Sequence, residues 1–447
     1  MEIVMPVPFP HPGERATLTV CRLRDEVGPV VAVELAGGVP AWLATSYDAV
    51  SEVLANEGVL YSKDARHFGA LRDGTLPAGW PLRRAIEADH MLNKDGDEHR
   101  RLRGLVGRAF TQNRVQALAP RIEEIADGLL DRLAAIDGDS AAHGGGPAAG
   151  GDSAAHGGGP AAGGDPAARD GGPAAGGGGP VNLVAGYADP LPVVVICELF
   201  GVPERERDDI RRWATTLISL TSAPDEIGKA WQDLIAHLTA HIGRRRRDPR
   251  DDLTTALLQA QEQDGDRLGD DEILWILWLV ILAGHETTVH LIANAVIALC
   301  ADPAQLALAR EKDAWAEVVE ETLRSRSPMS AGLFRYATRD VELAGVRIPA
   351  GQPVLVGFGG TGTDPARFGA GAGRFDISRG QETHLGFGRG PHFCLGAPLA
   401  RLEARIALSR LFGRFPGLRM AVPPEEIAYT PSWITEGPVA LPVFTGR

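Results

Sequence analysis

Cysteine is scarce in this sequence: Cys21, Cys197, Cys300 and Cys394 are the only four in 447 residues, far apart and with no short paired spacing. That excludes a disulfide framework and a cysteine-built zinc cluster, and it suits a reducing compartment. A surplus of positive charge is missing too. Lys and Arg number 45 against 58 Asp and Glu, a net charge of −13, which favours solubility and argues against a nucleic-acid partner. No basic segment followed by an apolar core heads the chain; Met1 to Arg22 is Pro-rich and broken by charges, so a cytoplasmic location is expected. Nor is there an unbroken apolar run of membrane length. Ile273 to Cys300 comes nearest, but His285, Glu286, Thr287, Thr288, His290 and Asn294 interrupt it, and each would be costly in lipid. A long buried helix with a polar centre is expected there, without membrane insertion.

What is present is a globular composition, 44% hydrophobic and 23% charged. Val30 to Leu35, Gly37-Gly38 and Trp42 to Ala44 read as a strand hairpin, and Asp48 to Leu54 as a short helix. From about Glu98 onward, helical periodicity dominates, as in Leu102, Leu105, Val106 and Ala109. The alternation Val341, Leu343, Val346, Ile348, Val354, Val356 reads as short strands with turns at Gly345 and Pro349-Ala350-Gly351. Between Gly138 and Pro180 the composition shifts to Gly, Ala, Pro, Asp and His. Asp139-Ser-Ala-Ala-His143 recurs at Asp152 to His156, a thirteen-residue step. These units carry almost no bulky apolar residues to stack, so a surface-loop insertion (138–180) into one domain spanning 1–447 is expected, and not a solenoid. Arg244 to Arg247 is read as a solvated helix end in preference to a nucleic-acid contact.

The most specific feature is Phe387-Gly-Arg-Gly-Pro-His392-Phe-Cys394-Leu-Gly396, followed by a helical pattern at Leu395, Leu399, Leu402 and Ile406. Glycines permit a tight turn. A cysteine ahead of a helix N-terminus receives unpaired N–H groups and the positive end of the macrodipole, which favours a thiolate. Such a thiolate suits axial binding of one metal but cannot enclose it, since no second ligand lies at tetrahedral spacing. The competing reading is a structural cysteine in a glycine-rich turn. A second feature is Ala283-Gly284-His285-Glu286-Thr287-Thr288 inside the long apolar segment. Gly284 permits close backbone approach, Thr287 can bond back to the Ala283 carbonyl, and Glu286 brings a proton-donating group among apolar neighbours. A Thr-Thr pair alone is more often structural.

Together these residues resemble the cytochrome P-450 family. F-G-x-G-x-H-x-C-x-G followed by A-x-x-x-A is similar to its haem-binding loop, and A-G-x-(D/E)-T-T to its oxygen-binding motif. Glu321 and Arg324 resemble its E-x-x-R, with Arg374 as an expected third member, all three structural. His99 and Arg103, i and i+4 on a helix face, lie in a run similar to D-P-P-E-H-x-x-L-R, with Gly96-Asp97 where prolines are usual. Arg335 matches a propionate arginine. Gly360-Thr361-Gly362-Thr363-Asp364-Pro365 stands where A-N-R-D-P is usual.

The resemblance implies a mainly α fold with small β-sheets, one haem-binding domain, and haem b held by the axial Cys394 thiolate. Phe387 would pack on the haem, His392, His99, Arg103 and Arg335 would serve its propionates, and Ala283, Gly284 and Gly396 would approach it by their backbones. Glu286 and Thr287 would be the catalytic pair, Glu286 feeding protons and Thr287 holding a water at the oxygen site. It further implies an O2-dependent monooxygenase acting on an apolar secondary metabolite, macrolide, terpenoid or steroid. Electrons would come from a ferredoxin and its reductase at the expense of NAD(P)H, because no flavin or nicotinamide fingerprint is present. Arg100, Arg101, Arg108 and Arg114 are the expected docking cations. Phe68, Leu71, Trp80, Leu82, Leu282, Leu333 and Ile434 are expected to line the distal pocket. Two other classes stand beside this: a non-catalytic haem sensor or carrier, against which Glu286–Thr287 argues, and a haem-free partner protein in a biosynthetic complex, against which the intact Cys394 loop argues.

Overall fold

The computed structural model describes residues 6–80, 82–142, 179–218, 222–263, 268–380 and 383–446. Helices dominate, as the periodicity predicts, and small sheets lie to one side. The spine is the 32-residue helix Asp270–Ala301. Its first turn carries Asp270, Asp271 and Glu272, which complement the positive dipole end, and the Glu272 carboxylate accepts from the Gly269 amide at 2.7 Å. It stops at Asp302, whose carboxylate accepts from the amides of Ala304 and Gln305, with Pro303 opening the next helix. This helix has the length and apolarity to cross a membrane, yet 61% of its most apolar window is buried inside the fold. Its apolar surface is therefore used by Pro190–Leu199, Pro224–Arg247, Trp315–Ser325 and Ala397–Arg414, which pack around it.

The hairpin expected at Val30 to Ala44 forms, with Val31 opposite Leu43. It belongs to a six-stranded sheet in the order Val7–Pro8, Val30–Leu35, Val39–Ala44, Pro353–Val356, Gly332–Ala337, Tyr61–Ser62. Smaller sheets are the hairpin Val341–Leu343 with Val346–Ile348, and the trio Arg419–Met420, Pro442–Phe444, Val181–Asn182. The helix Ala119–Ala142 runs into the start of the expected 138–180 insertion; residues 143–178 of that insertion lie outside the described residues.

The four arginines do end a helix, Pro224–Arg247, but they are not simply solvated. Arg244 pairs with Glu206 and Arg246 with Asp270, while Arg245 is buried against Asp252 and the Gly201 carbonyl. The run closes the helix onto its neighbours, which removes it as a nucleic-acid surface.

Glu321 and Arg324 form a bidentate pair that is almost fully buried. The remaining Arg324 N–H groups reach the carbonyls of Gly362, Ala372 and Arg374. Arg374 joins, as the expected third member, by its backbone oxygen, while its guanidinium is exposed and pairs with Asp376. The glycines of the 360–363 segment also find a reason. A Cβ on Gly362 would overlap the Arg324 carbonyl oxygen, and one on Gly360 would press on Val20. Close backbone approach excludes the larger residues usual there. Removing one partner of a buried, hydrogen-bonded pair strands the other charge. Arg324→Ala is expected to lower unfolding free energy by about 3–5 kcal/mol in urea titration, whereas Arg374→Ala should move the midpoint far less.

Candidate active site

Cys394 sits where a tight loop meets the helix Ala397–Arg414. The loop is closed by the Cys394 amide donating to the Phe387 carbonyl at 2.9 Å. Gly388 and Gly390 take φ of 73° and 74°, the left-handed region that glycine adopts without strain. Gly390 has a second reason: a Cβ there would lie 2.5 Å from the Leu54 carbonyl oxygen. Gly396, by contrast, has an ordinary φ of −78°. The amides of Gly396 and Ala397 point at the sulfur, as the sequence suggests. Burial pushes the Cys394 thiol up, and those N–H groups, together with the Arg103 and Arg401 charges, work in the opposite direction. A metal bound at the sulfur would favour the thiolate further.

On the central helix the turns before and after residues 282–287 are buried, yet Ala283 is exposed and Leu282, Gly284, Glu286 and Thr287 are half-buried. An internal space therefore flanks the helix at its polar centre. Thr287 donates to the Ala283 carbonyl at 2.8 Å, as expected, and Thr288 repeats the bond to Gly284 at 3.0 Å; the helix nevertheless runs on as α-helix to Ala301. Ala283 and Thr287 are i and i+4 and share the open face. Glu286 does not. Its carboxylate accepts from Thr435 Oγ1 at 3.0 Å and lies 3.5 Å from His290 Nε2, toward the C-terminal segment. Thr435 in turn reaches Ser432 Oγ at 3.3 Å. Gly284 meets Ile196 of the neighbouring helix, where an added Cβ would sit 2.8 Å from its Cδ1. Its close approach is thus to protein on the opposite side. His285 bonds Asp189 at 2.9 Å there.

A polar cluster lies beside the cysteine loop. The rings of His99 and His392 are 4.0 Å apart, and Arg103 donates to the Phe393 carbonyl at 2.5 Å. Burial holds His99 down to about 4, helped by the His392 and Arg103 charges, and burial likewise lowers His392. Both are neutral near pH 7, so they offer N–H groups and not the cations the sequence suggests. His392 Nε2 is buried without a hydrogen-bond partner. Arg335 is buried and donates to Glu57 at 2.7 Å and to the Leu333 carbonyl at 2.6 Å. Phe387 stacks under the Arg401 guanidinium, 4.5 Å from its ring centroid.

The cytochrome P450 family model matches residues 315–431. Cytochrome P450 107B1 of Saccharopolyspora erythraea is 39% identical over 95% of this chain and 94% of its own length. The chain belongs to the cytochrome P450 family. A vitamin D(3) 25-hydroxylase of Pseudonocardia autotrophica is 38% identical over 98% of this P450 and 94% of its own length. Among solved structures, a Streptomyces CYP154C4 superposes with a TM-score of 0.82 at 37% identity, covering 95% of this P450 and 94% of that chain. This P450 is thus an oxidoreductase of the monooxygenase type, of a family that carries a haem with a cysteine thiolate ligand.

The residues present fit that group. Cys394 Sγ receives the amides of Gly396 and Ala397, His392 Nε2 is buried without a hydrogen-bond partner, and Ala283 is exposed on the central helix. Among the described residues no three His, Cys, Asp or Glu side chains converge, so a metal at Cys394 needs equatorial ligands from outside the protein, as a porphyrin supplies. Of the residues expected at the distal pocket, Phe68 and Trp80 are instead sealed into the sheet-side core with Phe334 and Tyr336. Leu71, Leu82, Leu282, Leu333 and Ile434 remain half-buried. Of the expected docking cations, Arg100, Arg108 and Arg114 are exposed and Arg101 is half-buried; Arg101 pairs with Glu272 and Arg100 with Asp97. Thr435 and Glu57 escaped sequence reasoning because their partners, Glu286 and Arg335, are 149 and 278 positions away. The loop geometry is testable. Gly390→Ala forces an alanine into a left-handed conformation against a carbonyl and should lower stability by about 1–3 kcal/mol in thermal or urea unfolding. Gly413→Ala, in a helix with open space around it, should not lower it.

Proposed function

We propose that this P450 inserts one atom of O2 into an apolar small molecule, by hydroxylation or epoxidation, and that Cys394 would hold haem b through its thiolate. The observation that carries the reading is the pairing of two features on packed helices: a half-buried cysteine sulfur at the head of Ala397–Arg414, and an open face at Ala283 and Thr287 on Asp270–Ala301. A thiolate-ligated haem, when bound, supplies the reductive activation of oxygen. The rest falls to the chain. His99, His392, Arg103 and Arg335 hold the carboxylate rim by neutral and charged donors. Thr287 Oγ1 donates to the Ala283 carbonyl in this structure, so its lone pairs face the open side and can fix a water there. Glu286 faces away from Thr287 and toward Thr435, a position from which it can take protons from the C-terminal segment and pass them inward through water.

Leu282, Leu333 and Ile434 give the distal side its apolar character; relatives named as a vitamin D(3) 25-hydroxylase, a 6-deoxyerythronolide B hydroxylase and a mycinamicin IV hydroxylase/epoxidase support a substrate of the macrolide, terpenoid or steroid kind. A ferredoxin with its NAD(P)H-driven reductase delivers the electrons, docking at the basic patch of Arg100, Arg101, Arg108 and Arg114. The enzyme works in the cytoplasm as one domain. Two measurements check the assignments. Cys394→Ser should abolish the thiolate-type absorbance band of the reduced, carbon monoxide-treated protein, and retention of that band would refute the ligand. Thr287→Ala should keep the haem spectrum but divert reducing equivalents to peroxide; product formed in full proportion to NAD(P)H consumed would contradict the role given to Thr287.

A further inference from the structure

The strand Tyr61–Ser62 closes one edge of the six-stranded sheet, pairing with Tyr336 and Ala337. The next residue, Lys63, turns into the interior and is 3% exposed. Its Nζ donates to the Phe334 carbonyl at 2.9 Å and the Leu333 carbonyl at 3.4 Å. Neither is an anion, and among the described residues Lys63 forms no ion pair. The two carboxylates nearest in charge are engaged elsewhere. Glu57 takes the Arg335 guanidinium at 2.7 Å. Asp95 accepts from Ser62 Oγ at 2.5 Å and from the Lys63 amide at 2.8 Å, with His392 Nε2 3.7 Å away. Burying an ammonium without a counter-charge is expensive. Burial pushes the Lys63 ammonium down to about 7, and the neighbouring Arg335 charge adds to this, against Glu57 and Asp95.

The location gives the cost a purpose. Lys63 bonds the carbonyls of the two residues before Arg335 and senses the charges of Arg335 and Asp95. Asp95 in turn faces His392. The cluster thus contains one guanidinium already neutralised by Glu57, two neutral imidazoles, one buried nitrogen without an acceptor, and one ammonium without an anion. A ligand bearing carboxylates would satisfy the last two together.

We propose that Lys63 anchors a haem carboxylate, pairing with it beside His392, His99, Arg103 and Arg335. This rests on the reading of the chain as a haem-thiolate P450. A lysine that merely stapled the strand would serve any porphyrin alike, whereas an anchor discriminates by the carboxylate charge.

The test uses the full chain reconstituted either with haem or with its dimethyl ester, which lacks the carboxylate charges, and follows transfer of each porphyrin to excess apomyoglobin by absorbance. In the wild type the ester should leave faster than haem. Lys63→Met should speed haem loss by at least about tenfold, as expected for losing one desolvated charge pair, while leaving ester loss within about twofold. Urea unfolding of the protein without porphyrin should be unchanged or shifted to higher urea, because an uncompensated charge has gone. Equal acceleration for both porphyrins, or none for haem, would falsify the anchor and leave Lys63 as a strand staple. Failure of the wild type to take up haem at all would instead sink the underlying P450 reading, so the two failures are distinct.

Discussion

A sulfur held against backbone N–H groups at the head of a helix is the constraint on which this structure turns. Burial pushes the Cys394 thiol up, and the amides of Gly396 and Ala397 with the Arg103 and Arg401 charges pull the other way. The loop around it cannot be rearranged cheaply, because Gly388 and Gly390 hold backbone angles that side chains resist, and Gly390 abuts Leu54. Behind it, Glu321 and Arg324 tie the Trp315–Ser325 helix to three carbonyls of the chain leading to the loop. A rigid loop that presents a cysteine sulfur toward backbone amides describes a site built to hold a metal, and a porphyrin metal is the group the family supplies.

The central helix solves the opposite problem. The turns flanking its middle are apolar and buried, but the middle must present polar groups without disrupting the core. Each is assigned a direction. Ala283 and Thr287 face the open side; His285 turns to Asp189; Glu286 turns to Thr435 and His290; Asn294 bonds the carbonyls of Arg326 and Glu436. The acid and the alcohol, adjacent in sequence, are about 100° apart around the helix and do not touch. Proton transfer between them needs water, and the C-terminal segment that holds Glu286 becomes part of the route.

Much of this was readable in the chain. The cysteine loop, the Ala283–Thr288 segment and the Glu321–Arg324 pair are local patterns, and local patterns survive folding. The hairpins at Val30 to Ala44 and Val341 to Ile348 were readable because strand alternation and glycine turns lie within a few residues of each other. The polar cluster was only half readable. His99, Arg103, Arg335 and His392 could be named, but not that the histidines are neutral or that Arg335 is taken by Glu57. Phe68 and Trp80 look like pocket residues by composition, yet aromatic partners from the Gly332–Ala337 strand seal them in the core.

The amino-acid order by itself determined the family, the helical class, the sulfur and the position of the open turn, because each depends on residues within one loop or one helix. Tertiary structure alone decided the partners. Glu286 meets Thr435, Arg335 meets Glu57, and Lys63 enters the interior beneath a strand 270 positions away. Charge balance is a property of distances in space, and distances between remote segments are written nowhere in the sequence until the chain has packed.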